Sequence, residues 1–143
     1  HRLCFCFSLK QVFLNNTLLK HNRTPHDYLS RDHGRVDSYV EDELCGFPKT
    51  TQMWLDLKSG FGGLWTKKSY KEIDPETRVL VVTGDKDPIN NNGKQAERMH
   101  NSFVDIGLNS EIEVYPDMRH EPLNEIGREE VFKRMESFFS RQS

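Results

Sequence analysis

The sequence predicts an α/β fold: a helical segment, then a strand–helix–strand–helix unit whose two strands run parallel. Three observations carry this. The run Val79 to Val82 is rich in β-branched residues, lacks polar alternation and is too short for a typical helix, so it reads as a strand covered on both faces. Ala96, Met99, Phe103 and Ile106 then recur at helical spacing. Glu111 to Tyr115 alternates polar and apolar, the signature of a second strand. Strands joined through a helical crossover are parallel, with a right-handed connection expected.

The 143 residues are one domain's worth of chain or a piece of a larger one, and the chain starts at His1 rather than Met. Charged residues make up 29% and the net charge is −2, which offers no basic face for nucleic acid. Nothing approaches the roughly 18 consecutive apolar residues of a membrane helix. Leu3 to Phe7 is too short for a signal-peptide core of about 7 to 15 residues. Three cysteines without framework spacing argue against a disulfide scaffold and favour a reducing, cytoplasmic setting. Cys4 and Cys6, with no second pair or nearby histidines, make a poor zinc site.

Taken in order, residues 1–21 form an N-terminal segment of little information. Leu3 to Phe7 suits the end of a strand and Val12 to Leu19 a short helix. Residues 22–70 read as a helical excursion. Thr24-Pro25 and Asp32-His33-Gly34 are punctuation around a small anchor, Tyr28-Leu29-Ser30. Arg35 to Leu44 suits a short helix with Val36, Tyr39 and Val40 on one face, broken by Cys45-Gly46-Phe47-Pro48. Thr50 is an N-cap for a helix from Thr51 to Lys58, and Gly60 can close it. Met53, Trp54, Leu55 and Leu57 give that helix a broad apolar surface, extended by Phe61, Leu64 and Trp65. Lys67, Lys68 and Lys71 read as solvated surface. Residues 71–143 then hold the core portion. Tyr70 to Ile73 is a helical turn, Asp74-Pro75 a turn, and Asn90 to Gly93 a loop. A helix from Lys94 to Ile106 ends at Gly107. The last helix, Arg128 to Arg141, is expected to bury Val131, Phe132, Met135, Phe138 and Phe139.

Parallel strands share one carboxyl edge, where open α/β sheets place their sites. The loop after the first strand carries Asp85 and Asp87, and the loop after the second carries His120. Both loops open on that edge, so an Asp and the His can meet. A carboxylate beside an imidazole fixes its tautomer and stabilises the imidazolium, and the pair activates a weak nucleophile such as a serine hydroxyl.

Three stretches resemble a known family. Gly84-Asp85-Lys86-Asp87-Pro88 looks like an acid loop. Tyr115 to Glu121 followed by Leu123-Asn124-Glu125 looks like a histidine loop. Tyr28 to Asp32 with Leu44-Cys45-Gly46-Phe47 resembles a lid. Together, in this order, they resemble the C-terminal half of the monoacylglycerol-lipase-like, lysophospholipase or serine-aminopeptidase-like branch of the α/β-hydrolases. The resemblance implies Asp87 as triad acid, His120 as general base and Asp85 as a loop carboxylate. It implies a serine hydrolase of carboxylic esters, with lipid esters such as monoacylglycerol or lysophospholipid as substrate and no metal or cofactor. Phe47, Trp54, Leu55 and Phe61 then suit an acyl chain.

Two departures stand out. Asp42-Glu43 replaces the usual Asp-Pro of the lid, and the chain contains no Gly-x-Ser-x-Gly. Nucleophile and oxyanion hole are expected in an N-terminal half, so this polypeptide alone is expected to be nearly inert, since losing one oxyanion donor costs about a hundred- to a thousand-fold. Marginal stability, association with the missing half or self-association are expected. The rival readings are a non-catalytic remnant serving as an interaction module, and an independent α/β domain that uses the same edge to bind a ligand.

Overall fold

The computed structural model describes residues 22–61, 64, 66–70 and 72–140. The expected strand end at Leu3 to Phe7, the helix at Val12 to Leu19, the Cys4/Cys6 pair, Trp65, Lys71 and Arg141 lie outside the described residues.

Among the described residues two strands form the sheet: β1, Arg78–Gly84, and β2, Asn109–Tyr115. They pair in parallel, from Arg78 opposite Asn109 to Gly84 opposite Tyr115. The ladder therefore takes in Thr83 and Gly84 beyond the apolar run, and β2 begins two residues before the alternating segment.

Preceding the sheet come α1 (His33–Glu41), α2 (Thr51–Phe61) and the single turn α3 (Lys67–Tyr70). α1 starts earlier than its apolar pattern suggests, because Asp32 caps it. Its carboxylate accepts from the backbone of Gly34 and Arg35. Those bonds, with the Arg128 guanidinium, hold the Asp32 carboxyl below the usual carboxylate range. Val36 is buried in α1, whereas Val40, expected on the same face, is 49% exposed. Thr50 caps α2 as expected, its hydroxyl accepting from the Met53 amide, but the helix continues through Gly60 to Phe61.

The crossover helix α4 spans Lys94–Asp105. Its stop is a two-bond cap at Gly107 (φ 91°). The Gly107 amide donates to the Val104 carbonyl and the Leu108 amide to that of Phe103. Leu108 is buried beneath that cap. The stripe Ala96, Met99, Phe103 and Ile106 is half-buried throughout. Tyr70 at the end of α3 lays its ring against Phe103, with centroids 5.4 Å apart.

A single 3-10 turn, Pro122–Asn124, leads to the last helix, α5, Arg128–Ser140. α5 buries Val131 and Phe138. Phe132 and Phe139, expected on that face, are 48% and 68% exposed. Val131, Arg134, Met135 and Phe138 share the inward stripe at helical spacing, which leaves Phe132 and Phe139 on its shoulder. Arg134 turns toward the sheet because β2 presents two carboxylates there. Its guanidinium donates to Glu111 and Glu113, at 2.5 Å each.

The helices cover opposite sheet faces. His100 of α4 bonds Ser110 at 2.9 Å, and α5 engages Glu111 and Glu113. The small apolar core lies on the α5 side, where Tyr115, Met118 and Val131 are buried with Val82 and Met135 against them.

At the carboxyl end of the strands the main chains nearly touch. A Cβ on Gly84 would lie 2.0 Å from the Met118 carbonyl oxygen. Backbone rather than a flexible side chain is met, so relief requires the two loops to part. Gly84→Ala is expected to lower the urea unfolding midpoint by the equivalent of about 1–3 kcal/mol, the usual range for overpacking. A midpoint within error of wild type would show that the crossing is not tight.

Candidate active site

The loops after β1 and β2 are laced together by backbone bonds. The Asp85 amide donates to the Tyr115 carbonyl and the Lys86 amide to the Met118 carbonyl. Asp85 Oδ1 accepts from the Asp117 amide at 2.6 Å, which holds Asp117 in its left-handed conformation (φ 60°). Asp85 Oδ2 pairs with Lys86 Nζ at 2.9 Å. Asp85 is thereby a structural carboxylate of the loop crossing.

Asp87, two residues on, is only 2% exposed. Its Oδ1 accepts from the amides of Ile89 (2.8 Å) and Asn90 (3.4 Å). Its main-chain carbonyl accepts from the Asn92 amide. Asn90 fastens the turn, bonding Thr83 Oγ1 and the Gly93 amide. Asn91, Asn92 and Gly93 follow, all at positive φ, where Asn and Gly are the residues least penalised.

Asp87 Oδ2 is thus left to face His120, whose Nδ1 lies 3.0 Å away. Asp87 raises the His120 pKa above its ordinary 6.5, first through this hydrogen bond and further through its charge, with Glu121 adding to the effect and burial opposing it. The imidazole side chain is 37% exposed, and among the described residues nothing bonds its Nε2. The Tyr28 ring flanks it, centroids 6.1 Å apart. Burial, then the charges of Tyr39 and Glu121, pushes the Tyr28 phenol up. The pair can hold one imidazole tautomer, with Nδ1–H toward the carboxylate, and present Nε2 as a base.

The segment likened to a lid is docked on the histidine loop. The His120 amide donates to the Tyr28 carbonyl and the Glu121 amide to that of Leu29. Arg119 reaches the carbonyls of Asp27 and Ser30. Ser30, buried, donates to the Asn124 carbonyl at 2.9 Å. At the centre of these contacts is Glu125, fully buried. Its Oε1 accepts from the amides of Arg31 and Arg119, its Oε2 from Arg31 Nε and the Ile126 amide. Sequence reasoning noted Glu125 only within the histidine-loop motif. A carboxylate is ordinarily a surface residue, so no local pattern marks one for burial.

The four residues offered for an acyl chain are not gathered round His120. Phe47 is 51% exposed, with Lys49 Nζ 3.4 Å above its ring centre. Leu55 and Phe61 are exposed, and Trp54 is half-exposed. An open depression on α2 is lined by Thr50, Gln52, Met53, Asp56, Leu57, Gly60 and Phe61, so Phe61 is the one of the four that borders it. It shares no residue with the Asp87–His120 pair. Among the described residues no group of three or more His, Cys, Asp or Glu is placed to hold a metal ion. No helix among them is long and apolar enough to cross a membrane.

Parallel strands, a crossover helix and a final helix are the architecture of an α/β-hydrolase fold. Residues 5–127 match the family model described as serine aminopeptidase, S33, and the chain belongs to that family. No curated protein matches the sequence. Among solved structures the chain is similar to a highly thermostable carboxyl esterase from Bacillus coagulans in complex with glycerol. That likeness has a TM-score of 0.74 and 19% identity, over 94% of this chain and 52% of the esterase. It is also similar to a lipase in an open form, with a TM-score of 0.75 and 21% identity, over 90% of this chain and 43% of the lipase. The chain therefore spans about half the length of these structures, and at such identities the likeness is one of fold.

The raised pKa of His120 gives a pH signature. The folded state favours the protonated imidazole, so this stabilisation is complete below 6.5 and is lost as pH rises through the higher folded value. The gap in urea midpoint between wild type and Asp87→Asn is expected to be wider at about pH 6 than at about pH 8.5. A gap independent of pH would mean that Asp87 does not favour the imidazolium.

Proposed function

We propose that this chain supplies the acid and the base of a serine hydrolase that cleaves carboxylic esters. The observation that carries the reading is the 3.0 Å contact of buried Asp87 with His120 Nδ1, which leaves Nε2 open. The family membership and the likeness to an esterase and a lipase support it. Asp87 is the positioning acid and His120 the general base. The nucleophilic serine and the oxyanion donors come, on this reading, from sequence outside the 143 residues.

His120 Nε2 takes the proton from the serine hydroxyl as its oxygen bonds to the ester carbonyl carbon. The tetrahedral intermediate collapses, the bond to the leaving oxygen breaks, and the imidazolium returns the proton to the departing alcohol. Water then attacks the acyl-enzyme by the same route: His120 takes its proton, the acid is released, and the serine recovers a proton. Asp87 stays ionised throughout and stabilises the imidazolium.

The substrate within this reading is a lipid ester of the monoacylglycerol or lysophospholipid type. Residues 22–70 form its cap, and the exposed side chains of Phe47, Leu55 and Phe61, with half-exposed Trp54, meet the acyl chain. The support is chemical: apolar groups of this size left in water on one helical segment suit an apolar ligand.

In protein that carries this chain together with the sequence proposed to supply the serine, His120→Ala is expected to lower kcat by about 10⁴- to 10⁶-fold and Asp87→Asn by about 10⁴-fold. Ester cleavage that survives His120→Ala would sink the assignment. So would failure of a fluorophosphonate to label that protein, an outcome that favours a binding module. Phe61→Ala is expected to cut kcat/KM for long-chain esters by about 10-fold, while acetate esters are unaffected. An equal loss on both would remove Phe61 from the acyl site.

A further inference from the structure

The Asp87–His120 contact needs its two backbones held in register, and on the histidine side a buried carboxylate ties together the two segments that meet there. Glu125 is 0% exposed and takes four hydrogen bonds, each 2.9–3.0 Å. Two reach Oε1 from separate segments: the Arg119 amide, next to His120, and the Arg31 amide, three residues after Tyr28. On the other side of that tie, the amides of His120 and Glu121 bond the carbonyls of Tyr28 and Leu29. The backbone around His120 is therefore pinned to residues 28–31 at three consecutive positions, with Glu125 as the member that belongs to neither strand of the contact.

All four partners of Glu125 are N–H donors, so the group must be acceptor-only, with two oxygens taking two bonds each. An ionised carboxylate does this. A carboxamide offers one oxygen and turns an NH₂ toward two donors. Arg31 offsets the buried charge through Nε and closes the ring by donating from Nη2 to the Ile126 carbonyl at 3.1 Å.

We propose that Glu125 is the positioning residue of His120, its buried carboxylate clamping the Arg119 and Arg31 amides so that the imidazole stays within bonding distance of Asp87. The inference rests on the general-base reading of His120 for its catalytic meaning, but not for its geometry. Asp87, Glu121 and the Tyr28 phenol are the titratable groups that face the imidazole, so the state of His120 reports on whether Asp87 remains in place.

The experiment is an NMR titration of the His120 ring in the full chain. In wild type the midpoint is expected above 6.5, as the hydrogen bond to Asp87 requires. Asp87→Asn defines the fully uncoupled midpoint. Glu125→Gln is expected to move the midpoint most of the way to that value with the β1–β2 amide signals intact, and Glu125→Asp, which keeps the acceptor-only charge, is expected to restore part of it. Val36→Ala removes buried methyls from α1 and leaves the midpoint at the wild-type value. A folded Glu125→Gln with an unshifted midpoint overturns the proposal. A fall of the same size in Val36→Ala also overturns it, because general loosening would then suffice. Should Glu125→Gln not fold, Glu125→Asp carries the test: it keeps the charge but draws the carboxylate back from the Arg119 and Arg31 amides, so a partial fall is expected, and an unshifted midpoint overturns the proposal. The titration requires no turnover. Retained esterase activity in His120→Ala would defeat the catalytic reading while leaving this result standing.

Discussion

The two loops that close the carboxyl edge of the sheet cross at a distance only glycine permits, and the site depends on that crossing. With a side chain at position 84 the Met118 carbonyl would have to move. Its absence lets the Lys86 amide reach that same carbonyl and the Asp85 amide reach Tyr115. Parallel pairing brings the strand ends to one rim, but a shared rim leaves many ångströms of freedom. The crossing removes that freedom. Asp87 follows three residues after Gly84 and His120 two after Met118, so each functional side chain emerges within a few bonds of a fixed point.

What holds the rest of the site is polar rather than apolar. The core cluster under the rim consists of three buried residues with two more against it. Around the histidine loop, by contrast, Ser30, Asp27 and Glu125 are all buried and all hydrogen-bonded. A buried network of this kind is directional: each bond specifies an angle as well as a contact, which apolar packing does not. It is also unforgiving, because stripping one partner from a buried charge typically costs about 3–5 kcal/mol. Arg31 and Arg119 extend the same logic outward, one neutralising Glu125 and the other gathering two carbonyls of the segment before α1. Residues 22–31 hold no strand or helix, and the carbonyls of Asp27 to Ser30 are met by the histidine loop instead.

The strands, the crossover helix and the shared edge are legible in the sequence because each rests on a local period. Val79 to Val82 has no alternation, α4 repeats at helical spacing, and Gly107 stands where a left-handed stop is needed. The nearness of Asp87 and His120 follows from those elements alone, since parallel strands end on one side. Asp32 is harder to read. Asp-His-Gly looks like a turn, and only the bonds from its carboxylate to the amides of Gly34 and Arg35 reveal a cap. Glu125 could not be read at all. Its four donors come from three separate places in the chain, and a single residue's environment of that kind leaves no trace in spacing or composition.

Apolar content was the least reliable guide to burial, and the reason is geometric. An apolar stripe states that a face avoids water, not that another element stands opposite. α2 carries Met53, Leu55 and Phe61, yet none of its residues is buried. Phe132 and Phe139 sit one position off the inward stripe of α5, so the same helix that buries Val131 completely leaves them in solvent. The same holds for the sheet. β1 has the composition of a strand enclosed on both faces, but the described residues place one helix on each face of it and do not enclose it along its length. Val79, Leu80 and Val82 are accordingly half-buried, and Val114 of β2 is 41% exposed. Several elements converge at the carboxyl rim, and burial there is close to complete. There β1, β2, the histidine loop, the segment before α1 and the start of α5 all meet, and there Asp87, Glu125 and Val131 lose almost all contact with water. The rigid part of the molecule and the part that holds the carboxylate–imidazole pair are therefore the same place, for the same topological reason.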